Sequence, residues 1–156
     1  AASKILGATQ IIATDVLEQA LDRAKALGAT STINVSKEEI PANSFDIVFE
    51  CSAAAPAVSA SFNAVRRAGV IVQVGMMGAA PQQIAIAPLV AKEIQLRGTF
   101  RFKDEITDAI AMLASHPWIG SAISHTYSLQ DSLEAFEVAK DAWAEFWTSK
   151  PSILNR

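Results

Sequence analysis

Residues 10–29 read QIIATDVLEQALDRAKALGA. A short apolar run ends on Asp15, and the chain then enters a stretch whose Ala20, Leu21, Ala24 and Leu27 share one helical face until Gly28 stops it. A strand that ends on a carboxylate and turns at once into an amphipathic helix is the pattern of the second strand of a dinucleotide-binding sheet. There the acid accepts both hydroxyls of an adenosine ribose and repels a 2'-phosphate by like charge. A purely structural role fits the same place equally well: Asp15 caps the helix, and Glu18 three residues later completes a capping box. The glycine loop that should precede such a strand is absent, since no G-x-G-x-x-G occurs anywhere in the 156 residues.

On the N-terminal side, AASKILGA reads as the tail of a helix closed by Gly7, which implies chain before it. On the other side, TSTINV is a second strand. FDIVFECS is a third, and its Ile47, Val48 and Phe49 suit burial in a parallel sheet. Pro56 opens a helix to about Arg67, and GVIVQVG, entered through Gly69 and left through Gly75, is a fourth strand. This alternation is the rhythm of an open parallel α/β sheet. Beyond Gly78, QQIAIAP alternates like an edge strand, LVAKE makes a turn of helix, and IQLRGTF is another strand. Helices over 104–115 and 129–140 flank the loop HPWIGSAISHTYS, and no internal repeat is present.

Composition narrows the partners. With 51% hydrophobic residues and a net charge of −3, the chain is expected to fold and to lack the basic surface that nucleic acid requires. No apolar run approaches the ~20 residues of a membrane span, and AASKILGATQ is not arranged as a secretory signal, so the expected compartment is the cytoplasm. A single cysteine, Cys51, excludes an internal disulfide and a cysteine-rich zinc knuckle.

Other candidates have ordinary readings beside the chemical ones. VGMMG at 74–78 is a turn more readily than a phosphate loop, and Cys51 at a strand end is a small core or rim residue. His116 and His125 have no acid or thiol at metal spacing. Arg101, just past a strand, either meets a polyol oxygen or carboxylate with its fork or covers Phe100 and Phe102. Trp143, Phe146 and Trp147 form an i, i+3, i+4 stripe assigned to packing.

The run PLVAKEIQLRGTFRF, taken in order with ATDVLEQALDRAKALGA, FDIVFECS, GVIVQVGMMG and HTYSLQDSLEAFEVAKD, resembles the coenzyme half of zinc-dependent medium-chain dehydrogenases on the sorbitol and L-idonate branch. The likeness covers residues 1 to about 141. It implies a Rossmann-like, doubly wound parallel α/β sheet lacking its first strand over residues 1–120. Residues 121–156 would be a helical remnant of the catalytic domain. The resemblance also implies NAD as cofactor, with Asp15 as the ribose acid and Val74, Gly75, Met76, Thr99 and Phe100 lining the cofactor. Arg101 would contact an alcohol substrate, and the catalytic zinc would be held only by the full-length parent.

Three departures go with it. The glycine loop would lie upstream of Ala1, no zinc ligand transfers, and a basic residue usual five positions after the ribose acid is Ala20. The ending AWAEFWTSKPSILNR also differs from the family and is read as a truncated, frame-disturbed or partial product. The chain by itself is therefore expected to be inactive. The lost strand would sit between QIIATD and FDIVFECS, so those two strands should pair directly or receive a strand from another chain. A homo-oligomer through the strand around Ile84–Ala87 is expected as well. The alternatives are a Rossmann-like methyltransferase and a non-catalytic oligomerisation remnant.

Overall fold

A computed structural model describes residues 1–148, with side chains as far as residue 140. The Trp143, Phe146 and Trp147 stripe therefore lies outside the described side chains. The chain divides into two compact units, Ala1–Gly120 and a second from Ser121 onward.

The first unit opens with α1 (Ala2–Ile5), closed at Gly7, whose φ of 91° only glycine adopts without strain. Next come β1 (Ile12–Asp15), α2 (Glu18–Ala26) and β2 (Ser31–Asn34), a crossover that lays β2 parallel to β1 with Asp15 opposite Asn34. Gly28 ends α2 at φ 99°, and α2 turns Leu21 inward. Then follow β3 (Phe45–Glu50), α3 (Ala55–Ala64), β4 (Val65–Gln73), α4 (Ala87–Ala91), β5 (Gln95–Gly98) and α5 (Glu105–Ser115). Strands β3, β4 and β5 make a second parallel sheet in that order. The second unit holds α6 (Ser132–Thr148), entered through a 3-10 turn at Leu129–Asp131.

The core belongs to the second sheet. Val58 and Phe62 of α3 close over Val65 and Ile71 of β4 and over Ile94, with Val48, Met77, Ile84 and Leu89 at its margin. Pro56 near the start of α3 supplies a preset φ where no intrahelical N–H is needed. The helix stops three residues short of the expected Arg67. Val65 already belongs to β4, and an irregularity between Phe45 and Ile47 absorbs the extra residues, with Ala68 at φ 54° and Gly69 too close to Val65 to carry a Cβ.

Three expectations fail. Direct pairing of β1 with β3, one of the two ways foreseen to fill the gap, does not occur: the five described strands form two separate sheets, and nothing in the described chain bridges the two free edges. β3 is not buried on both faces, and Ile47 and Phe49 remain 53% and 56% exposed because no described element covers their side. There is no strand around Ile84–Ala87 either. Ile84 turns onto the core, the Ala85 N–H donates to Ser59 Oγ at 3.1 Å, and Ala87 begins α4. Without a neighbouring edge to pair with, burying Ile84 outweighs extension.

Candidate functional site

The polar side chains of interest gather at the carboxyl ends of the parallel strands, the edge where open α/β sheets take ligands. Asp15 ends β1. Its Oδ1 accepts the Leu17 N–H at 2.9 Å, and its other oxygen has no hydrogen bond among the described residues. Asp15 therefore steadies the turn into α2 while one oxygen stays available. The capping box does not form, because Leu17 occupies the cap position and Glu18 looks across to β2.

There Glu18 Oε1 accepts from Asn34 Nδ2 at 2.7 Å and from Lys37 Nζ at 2.6 Å. Asn34 is buried, and its Oδ1 accepts the Ser36 N–H at 3.0 Å. Lys37, then Asn34, hold the Glu18 carboxyl below its ordinary value, and Glu18 raises the Lys37 ammonium in return.

In the second sheet, Glu50 closes β3 as a buried carboxylate with every contact satisfied. Oε1 accepts from the Ser52 N–H (2.8 Å) and hydroxyl, while Oε2 accepts from the Ala53 N–H (3.2 Å) and from Gln73 Nε2. Gln73 also donates to the Gly75 carbonyl at 2.9 Å, and the Val74 and Gly75 N–H groups both donate to the Glu50 carbonyl. One residue thus joins the turn after β3 to the turn after β4. The two turns lie so close that a Cβ on Gly75 would come within 2.5 Å of the Ala53 nitrogen and 2.9 Å of the Cys51 carbonyl carbon. Ala53 itself sits at φ 58°.

Past β5, the Thr99 N–H donates to the Gln73 carbonyl at 3.2 Å, and Phe100 is 67% exposed. Arg101 occupies the left-handed region at φ 58° and lays its guanidinium over the Phe100 ring, 4.9 Å from the centroid, with no ion pair among the described residues. Cys51 lies on the surface of the β3 turn. Lost hydration on its packed side, then the Glu50 charge, push its thiol up, so it is a poor nucleophile at neutral pH. His116 packs edge-on against Trp118, and His125 stacks on Tyr127.

No group of three or more His, Cys, Asp or Glu among the described residues could hold a metal, so these residues do not fit a zinc site. No described helix is long and apolar enough to cross a membrane. Sequence reading had singled out Asp15, Val74, Gly75, Met76, Thr99, Phe100 and Arg101. It missed Glu50 and Gln73, which hold Val74, Gly75 and Thr99, and Asn34, which holds Glu18.

The profile of the zinc-binding dehydrogenases matches residues 1–115. The chain belongs to that family. D-xylulose reductase of Saccharomyces cerevisiae is 34% identical over 149 residues, 86% of this chain and 42% of the reductase. L-idonate 5-dehydrogenase (NAD(P)(+)) of Escherichia coli is 34% identical over 148 residues, 90% of this chain and 42% of that enzyme. Among solved structures, an Escherichia coli oxidoreductase/dehydrogenase of unknown specificity is 31% identical and superposes with a TM-score of 0.78 over 90% of this chain and 43% of its own. This zinc-binding dehydrogenase chain thus spans about 42% of the length of the curated relatives it matches. Its two parallel sheets with their helices are the Rossmann-like α/β fold of that family, and the methyltransferase alternative is not favoured.

Proposed function

We propose that this chain is the NAD-binding part of a zinc-type dehydrogenase acting on a secondary alcohol of a polyol or sugar acid. The observation that carries the reading is the free oxygen of Asp15 at the end of β1, placed to accept from a ribose hydroxyl. Residues 1–120 form the nucleotide domain, and residues 121–156 belong with the catalytic domain. The Val74 carbonyl and the Met76 backbone face the cofactor, while the Gly75 N–H is already committed to Glu50. Thr99 and Phe100 flank the nicotinamide. Arg101, held in a strained conformation, leaves Phe100 to meet a substrate oxygen.

NAD, when bound, accepts the hydride from the alcohol carbon. The chain's own residues bind and orient it, and zinc ligands are supplied by residues other than those described here, so this chain alone turns over no alcohol. The setting is cytoplasmic, with no nucleic-acid or membrane partner, and copies form a homo-oligomer.

Titration with NADH, followed by its fluorescence, tests the nucleotide reading. Asp15→Ala should weaken binding roughly tenfold, as expected for a lost charge-assisted hydrogen bond. Equal affinity of the variant and the parent would remove Asp15 from the site. Oxidation of sorbitol or L-idonate by the 156-residue chain would contradict the assignment of the metal to other residues. Light scattering that shows only monomer at high concentration would refute the association.

A further inference from the structure

The Asp15 rim carries a second device besides the ribose acid. Lys37 stands three residues past Asn34, and Asn34 is the register partner of Asp15, so the lysine and the acid belong to the same carboxyl edge of the β1–β2 sheet. A lysine at such an edge is the group a 2'-phosphate would use, as a compact cation for a dianion. Here its ammonium is bound to Glu18 Oε1 at 2.6 Å. Glu18 is itself fixed from behind by the buried Asn34, whose other amide atom is engaged by Ser36. The carboxylate is thus held on Lys37 by a rigid support and does not depend on a chance surface encounter.

We propose that Glu18 selects the cofactor, occupying Lys37 so that the rim accepts a nucleotide with a free 2'-hydroxyl and refuses one with a 2'-phosphate. The inference rests on the nicotinamide reading given above. Among these three groups the formal charges are −1 at Asp15, −1 at Glu18 and +1 at Lys37. Neutralising Glu18 leaves Asn34 a hydrogen-bond partner but releases the ammonium, and their sum rises from −1 to zero, with Glu38 beside Lys37 unchanged. Asp15 alone opposes a phosphate by repulsion, and the Glu18–Lys37 pair adds the removal of its counter-charge. A short list of positions near the ribose therefore extends from one residue to three.

Binding of NADH and NADPH to the 156-residue chain and its variants tests this. In Glu18→Gln the affinity ratio should move about tenfold toward NADPH, and adding Lys37→Met should cancel the gain. Lys37→Met alone should leave the ratio within about twofold, because the tied lysine serves neither nucleotide. An unchanged ratio in folded Glu18→Gln, or a tenfold loss of NADPH binding in Lys37→Met alone, would overturn the proposal. The Lys37→Met result stands even if Glu18→Gln fails to fold. A lower melting temperature with no movement of the ratio would mark the pair as a fastening of the sheet only, and would also overturn it. If neither nucleotide binds the parent chain, the nicotinamide reading falls and the proposal falls with it.

Discussion

Gly75 shows how little room the turns at the strand ends leave. Gly75→Ala would drive a methyl group into the Ala53 backbone nitrogen, and backbone cannot swing aside as a long side chain does. Urea unfolding should show a loss of roughly 1–3 kcal/mol, the usual range for overpacking. Glu50→Ala, which takes their acceptor from the Ser52 and Ala53 N–H groups, should cost roughly 1–3 kcal/mol by the same measurement. The place of Asp15 at a strand end was legible in sequence because its signal is local: apolar run, acid, helix. Glu50 was not, since its meaning depends on Gln73, which lies 23 residues away and meets it only once β3 and β4 are paired. The nearest sequence signal was Ser52, two residues on and able to close a turn back to the carboxylate.

Among elements, α3 is held at its C-terminal end by an unusual fastening. Lys92 Nζ donates to the carbonyls of Phe62, Asn63 and Val65 at 2.8–2.9 Å, placing a full positive charge at the end of α3, where the Asn63 carbonyl also accepts the Asn43 N–H. Lys92→Met keeps the stem but strips those bonds, and thermal or urea unfolding should reveal a loss of roughly 1–2 kcal/mol. The bond between α2 and the turn after β2 should respond to pH at both extremes. Glu18 titrates below the ordinary 4.5, so its contribution is complete above that value and disappears as pH falls through the lowered one. Lys37 titrates above the ordinary 10.5, so its contribution is complete below that value and disappears as pH rises past the raised one. The stability gap between the parent and Lys37→Met should therefore close below pH 4.5 and stay constant through neutrality; both groups are exposed, so the gap is small. Helices α2 and α5 and all five described strands were visible as periodic or apolar runs. The false positive was QQIAIAP, whose alternation promised an extended edge. Period-two patterning specifies which side chains turn inward, and a coil that buries Ile84 meets that demand as well as a strand does.

At the scale of the whole molecule, apolar burial is unevenly shared. Leu21 is the one buried apolar side chain recorded for β1, α2 and β2, while Val58, Phe62, Ala64, Val65, Ile71 and Ile94 all lie with the second sheet. Sequence reading found the five described strands and foresaw their parallel order, but it could not see this imbalance. Ile47 and Phe49 read as core from their neighbours alone, and whether anything covers them is decided by chain packing elsewhere. Replacing both with threonine should lower any self-association measured by light scattering without lowering the melting temperature by much, since both are already more than half exposed.

Because no ladder bond crosses from the first sheet to the second, the chain's cooperativity has a natural seam between Asn34 and Phe45. Amide protons of β1 and β2 should exchange for deuterium through a shallow local opening, well before those of β4, whose release requires dismantling the Phe62 and Ile71 core. A melt followed by two probes, one on each side of that seam, would then trace two curves where a single closed sheet would trace one.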